Sequence, residues 1–225
     1  MAEEKELLPS HSRRAIILLI LVAILAVVAA SGPIRNTIAT LTDRAAVIIH
    51  HHDVAGAIVF VTAAIVSATF AFFSSAVLIP VAIAAWGKGV TFGLLWFGWL
   101  LGGLLAWLAG KYVGHPVARR LIGSKRLDRY EHYVRRLGGF GPVLLFQLAL
   151  PSEIPAYLLG TVRFPLRTYA LVLVIAEVPF ALGAVYLADT FVRGNIPALI
   201  LLGCGGVAAS WAAAHALHVR LMNHK

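Results

Sequence analysis

Charge is what this chain has least of. Asp, Glu, Lys and Arg make up 13% of its 225 residues, about half the share of an ordinary soluble domain. Between positions 54 and 87 there is no charged residue at all. A soluble core does not require an uncharged run of that length, so a soluble globule is excluded. Cysteine is almost missing too: Cys204 stands alone, which rules out an internal disulfide framework. The chain also lacks a nucleophile–base set and a Gly-rich phosphate loop after a strand, so neither an enzyme nor a bound cofactor is expected.

What the chain has is apolar length. Hydrophobic residues make up 60% of it, in runs long enough to cross a bilayer, which marks an integral membrane protein. The net charge of +9 then points to cytoplasmic loops and anionic lipid headgroups, and not to nucleic acid. The apolar segments are 15–30, 54–85, 90–110, 142–160, 166–188 and 196–216. The first follows Arg13 and Arg14 and is read as an uncleaved signal anchor, although Val28-Ala29-Ala30 before Ser31 resembles a cleavage site.

Two segments do not fit a simple crossing. Segment 54–85 measures roughly 48 Å as a helix, against a hydrocarbon core of roughly 30 Å, and is interrupted by Ser74-Ser75 and Pro80. Segment 142–160 is broken by Pro151 and Pro155 into legs that each reach about half-way across. Both read as re-entrant hairpins, which are tolerated only where protein or a wet cavity surrounds them. With the N-terminus cytoplasmic and each hairpin returning to its own side, fifteen of the nineteen Lys and Arg residues fall inside; Arg35, Arg44, Lys88 and Arg193 fall outside. That obeys the positive-inside rule. The expected fold is an all-α polytopic membrane protein with four transmembrane helices and two opposed re-entrant helical hairpins in an inverted-repeat arrangement. Gly87 to Gly110 and Gly160 to Gly183 share one spacing, and paired Pro-interrupted segments in inverted halves point to a transport site near the midplane. The expected organisation is a cytoplasmic tail (1–14), a signal-anchor helix with an outer loop (15–53), a membrane domain (54–190), and a final helix with a cytoplasmic tail (191–225). The connector 111–141 reads as a basic helix lying on the anionic leaflet or as a solvated linker.

At this point the residues resemble a known family. GGFGPVLLFQLALPSEIPAYLLGTVRFPLRTYALVLVIAEVPFALGAVYLAD, at 138–189, is similar to the second half of the DedA / VTT-domain (SNARE-associated Golgi protein-like) membrane proteins. Gly138-Gly139-Phe140-Gly141, Pro151, Pro155, Gly160, Phe164 and Pro179 stand in the family's places. Trp86-Gly87, Phe92-Gly93, Gly102-Gly103 and Gly110 fit the first half. The resemblance covers about residues 54–190. It departs at Gln147, where many members carry arginine, and at Ser74 and Ser75, where DedA-branch members carry a glutamate. It implies a protein that moves polar lipids between leaflets, such as phospholipids or undecaprenyl phosphate.

Within this frame Glu153 and Glu177 are the carboxylates at membrane depth, where each costs several kcal/mol unless paired or wet. Glu153 also suits the cap of the second hairpin leg, ahead of Pro155. Glu177 also suits a packing role, with Pro179 able to free a nearby carbonyl. Gln147, Ser74, Ser75, Pro151 and Pro155 complete the expected transport path. Arg163 and Arg167 at one face and Lys88 at the other are headgroup candidates, since arginine grips phosphate bidentately; their plain alternative is interfacial anchoring. His50-His51-His52-Asp53 lacks distant ligands, so no metal is expected. The expectation is a lipid translocase of the plasma membrane, multi-pass with both termini cytoplasmic and membrane lipids, chiefly anionic headgroups, as partners; homo-oligomerisation stays open. The competing readings are a proton-coupled transporter of a small solute or cation, and a non-transporting membrane assembly factor whose basic connector binds a partner.

Overall fold

The computed structural model describes residue 40 and residues 53–70, 75–122 and 139–222. Segment 15–30, the histidine tract at 50–52, Ser74 and most of the connector lie outside them. The described residues are helical, with no strand among them.

Helix α1 is Asp53–Thr69. A single 3-10 turn at Ser75–Val77 leads into α2, Ile79–Ala109. Pro80 therefore does not make the first break, as expected from sequence. It sits in the opening turn of α2, where its missing N–H is harmless. A further discontinuity follows inside α2: Gly87 has φ 75° and ψ 170°, a conformation only glycine adopts cheaply. The short piece before it and the long piece after it are two legs with different directions. A π-turn at Gly110–Gly114 joins α2 to α3, His115–Ile122. Two short helices follow, α4 at Phe140–Ala149 and α5 at Glu153–Thr161. Their ten and nine residues measure roughly 15 and 14 Å. The chain then runs through α6, Leu166–Val192, and α7, Ile196–Met222.

Three stretches are long and apolar enough to cross a membrane: Ile79–Ala118, Leu166–Val192 and Ile196–Ala216. They contain the segments expected at 90–110, 166–188 and 196–216. The protein is thus an all-helical membrane protein.

Small residues set the packing of α1 on α2. A Cβ added to Gly98 would stand 2.6 Å from the Cβ of Ala64, and one on Gly102 would stand 2.7 Å from the Ile65 carbonyl. Close backbone approach is how helices associate in lipid, where burial of apolar area gives no net drive. Most of the core lies in two clusters, with a small third one around Leu199. One gathers Trp107, Val143, Leu159, Phe164, Tyr169 and Leu173. The other gathers Phe60, Ile79, Leu95, Ala181 and Val185. Helix α6 runs through both: Tyr169, Leu173, Glu177, Ala181 and Val185 repeat every four residues, and all are buried. The equal glycine spacings do not mark equal environments. Gly160 is wedged in α5 against the backbone of Trp107, whereas Gly183 and Gly87 meet nothing.

Candidate functional site

A helix stripe that repeats every four residues presents one face. On the buried face of α6 the fourth-residue repeat puts Glu177 midway between the two apolar clusters. It is 1% exposed, and neither carboxylate oxygen has a hydrogen-bond partner. The side chains facing it are Ser152, Glu153 and Gln147. These come from the turn and flanks of the α4–α5 joint. Pro151 makes that joint, since proline cannot donate and disfavours helix in the residue before it, while Pro155 stands in the first turn of α5. Helix α4 accordingly stops at Ala149 with Leu150 extended. After this turn α4 packs on α6 and α7, while α5 packs on α2 and the π-turn.

Gln147 is fully buried. Its Nε2 donates to the Ser152 carbonyl at 3.5 Å, and its Oε1 is unpartnered. Glu153, expected at the cap, is the first residue of α5; the cap position is Ser152, and its side chain makes no cap hydrogen bond. It faces Glu177 instead. Tyr169, two repeats away on the same stripe, donates its hydroxyl to the Gly103 carbonyl at 3.2 Å and stacks on Trp107. The buried indole N–H of Trp107 has no acceptor. Pro179 leaves the carbonyl of Ile175, one turn earlier, without its helical donor.

The two chain breaks are bonded to each other. Helix α1 ends at Thr69, where the last carbonyls of a helix look beyond it for donors. The Tyr157 hydroxyl of α5 donates to the Thr69 carbonyl at 2.7 Å. At the far end of α5, His115 Nδ1 donates to the Thr161 carbonyl at 2.9 Å; the carbonyl only accepts, so Nδ1 carries the proton. Ser75 is buried in the first break, where its backbone N–H donates to Ser67 Oγ at 3.1 Å.

The cations lie elsewhere. Lys88, next to the Gly87 break, is 2.6 Å from Asp189, and Asp189 also pairs with Arg193 at 2.9 Å. The Lys88 ammonium lies over the Tyr186 ring. Lys88 is thus held by a carboxylate rather than standing open for a headgroup. Arg163 and Arg167 are exposed and make no ion pair among the described residues.

The structure therefore gathers Gln147, Glu153 and Glu177 around the Pro151–Pro155 turn. It adds Ser152; the charges of Lys88, Arg163 and Arg167 do not bear on Glu177, and Ser75 bonds to Ser67 instead. Asp189 and Tyr157 were not singled out in the sequence. Asp189 had a signal, its fourth-residue spacing from Arg193, but such pairs are commonplace on helix ends. No group of His, Cys, Asp and Glu suited to a metal occurs among the described residues.

Chemically the central group is acceptor-rich. Two carboxylate oxygens and one amide oxygen are buried with no partner at hydrogen-bond distance, although the Ser152 hydroxyl and the Gln147 amide face the carboxylate as potential donors. Such a set takes up a proton or an ammonium, and it repels phosphate.

The family model described as VTT domain matches residues 73–190, more than half of the chain. No curated protein and no solved structure matches it.

Proposed function

The chain belongs to the VTT-domain family, and from that membership we propose that it moves the polar headgroups of membrane lipids between leaflets. The family is one of membrane transport and homeostasis proteins. The observation that carries the reading is Glu177. A buried carboxylate facing a second one, Glu153, inside a helix of membrane-crossing length costs several kcal/mol unless well paired, and we read it as retained for use rather than for packing. The α4–α5 pair serves as a half-membrane hairpin whose turn brings Ser152, Glu153 and Gln147 to that carboxylate. The α1–α2 break is its counterpart, and Tyr157 ties the two together. In this reading the acceptor set receives the ammonium end of a zwitterionic headgroup, or a proton that offsets an anionic one. Arg163 and Arg167 attract phosphate at the face where α6 begins. The protein resides in the plasma membrane with that face, and both termini, cytoplasmic.

Reconstituting the full chain in vesicles and following a fluorescent-tailed phospholipid by dithionite quenching tests this. Wild type accelerates loss of the inner-leaflet signal over protein-free vesicles, and Glu177→Gln slows it about tenfold or more. The amide removes a buried unpaired charge, so the melting temperature of Glu177→Gln is no lower than that of wild type. No acceleration by wild type with either ethanolamine or glycerol headgroups rejects the proposal. The two neighbouring carboxylates, Glu153 and Glu177, also suit a proton-coupled transporter. Uptake of free ethanolamine driven by an imposed pH gradient, without lipid movement, selects that second reading.

A further inference from the structure

Helices α1 and α2 touch closely only along part of their length. Ala64 lies against Gly98 and Ala68 against Gly102, so the two helices run in the same direction, and Asp53 is level with Gly87. Where glycine brings them together they seal. Toward Asp53 the α2 residues lining the seam are Trp86, Val90 and Leu94, with Phe60 of α1 edge-on to Trp86 on its buried side. What remains is an open groove of about 560 Å³ between them, inside the roughly 300–1,000 Å³ range of small-molecule sites.

We propose that this groove seats one hydrocarbon chain of a membrane lipid. The inference rests on the lipid reading above and gives it a second site, away from Glu177. Val54, Ile58, Val61, Val90, Leu94 and Phe97 supply its apolar walls. The polar residues lie at its two ends. Asp53 and Trp86 mark the mouth, and tryptophan favours the membrane–water interface. At the other end the Thr62 hydroxyl donates to the Ile58 carbonyl of its own helix at 2.7 Å, so it asks nothing of an occupant. From Asp53 to Thr62 the groove follows α1 for roughly 14 Å, which is half of a hydrocarbon core of roughly 30 Å. Its depth is thus that of one leaflet. A tail entering at the level of Asp53 lies along the groove without crossing the midplane. The walls are strongly exposed, with Val54 at 75% and Ile58 at 61%. A concave apolar slot holds a chain against more surface than a convex helix face does.

The test uses the full chain in vesicles containing a phosphatidylcholine with a photoreactive diazirine in one tail, with labelled residues mapped by mass spectrometry. Leu171 and Leu201 are equally exposed apolar residues outside the groove and serve as internal references. Labelling at Val54, Ile58, Val90 and Phe97 is expected to exceed that at Leu171 and Leu201 at least threefold. Val90→Trp, which fills the slot, lowers groove labelling at least threefold and leaves Leu201 unchanged. Equal labelling of groove and reference residues in wild type overturns the proposal. So does an unlabelled groove that cross-links to residues 15–30 or to a second copy of the chain, since protein then covers it. Lipid movement is followed in the same vesicles. A labelled groove without transbilayer movement keeps the seat and rejects the translocase reading; movement with an unlabelled groove does the reverse.

Discussion

Arg163 is the non-glycine residue with positive φ among the described residues, at φ 52°. The geometry around it is a helix stop. Its N–H donates to the Gly160 carbonyl at 2.9 Å, and the Phe164 N–H donates to the Leu159 carbonyl at 2.8 Å. That is the Schellman pattern, whose left-handed position is normally glycine. Arginine there costs about 1–2 kcal/mol of backbone strain. Phe164 is buried directly after it and fixes the turn, which keeps the strained residue in place. In the proposed function the charge of this exposed arginine is what its backbone strain serves. Arg163→Gly is expected to raise the melting temperature by a few degrees, with stability gained on the order of 1 kcal/mol, and to slow lipid movement in anionic vesicles several-fold. Thermal unfolding followed by tryptophan fluorescence and the dithionite assay read the two effects. A stabilised variant with unchanged transport shows that the charge is idle. At this scale the sequence was readable where chemistry contradicts surroundings: Glu177 stands out because a carboxylate is rare in an apolar run. The strain at Arg163 was hidden, because backbone conformation at a single non-glycine residue follows from the tertiary contacts of its neighbours.

At the scale of elements, α5 is a wedge. Its Gly160 lies against the Trp107 carbonyl of α2, and Gly110 lies against the Tyr157 carbonyl of α5. Thr161 bonds back to Tyr157 and to the Gly110 carbonyl. The obstacle to any side chain at 160 is backbone, which cannot rotate aside. Gly160→Ala is therefore expected to destabilise by about 1–3 kcal/mol or to prevent folding. Gly183→Ala, in α6 with nothing near its Cβ position, is expected to be neutral or to stabilise by about 0.5–1 kcal/mol. Melting temperatures of the two variants in one detergent decide it, and equal behaviour of the pair contradicts the wedge. The contrast also explains what sequence disclosed about the elements. Pro151 announced the α4–α5 joint, because the residue before it leaves the helix; Pro155, in the first turn of α5, does not break the chain. Pro80 likewise opens a helix instead of ending one, and a separate discontinuity follows at Gly87. Equal glycine spacings suggested a repeat, yet one glycine of the set is a close crossing and another is a turn. Spacing alone does not distinguish those uses.

On the scale of the whole molecule, α6 fixes the distance between the two sets of cations. Arg167 lies in its first turn, and Asp189, which holds Lys88 and Arg193, lies in its last. Twenty-two residues of helix separate them, roughly 33 Å, more than a hydrocarbon core of roughly 30 Å. If α6 crosses the membrane, Arg167 and Arg193 must face different compartments. The ion pairs at the Asp189 end add little to folding, since Lys88 and Arg193 keep 38% and 67% of their side chains exposed and such pairs contribute about 0–1 kcal/mol. Their service is positional: they tie the Gly87 break to the end of α6. Replacing one of them with cysteine thus leaves the fold intact. In a Cys204→Ser background, Arg167→Cys and Arg193→Cys place single thiols at the two ends. A membrane-impermeant maleimide applied to right-side-out vesicles is expected to label Arg193→Cys and to spare Arg167→Cys until the membrane is permeabilised. The sense of that asymmetry follows from the distribution of Lys and Arg in the sequence, which puts Arg163, Arg167 and the basic connector on the cytoplasmic face. Labelling of both thiols from one side removes the crossing and, with it, the opposed hairpins. Labelling with the reverse sense keeps the crossing and places the exposed Arg163 and Arg167 where they meet the outer leaflet's headgroups first.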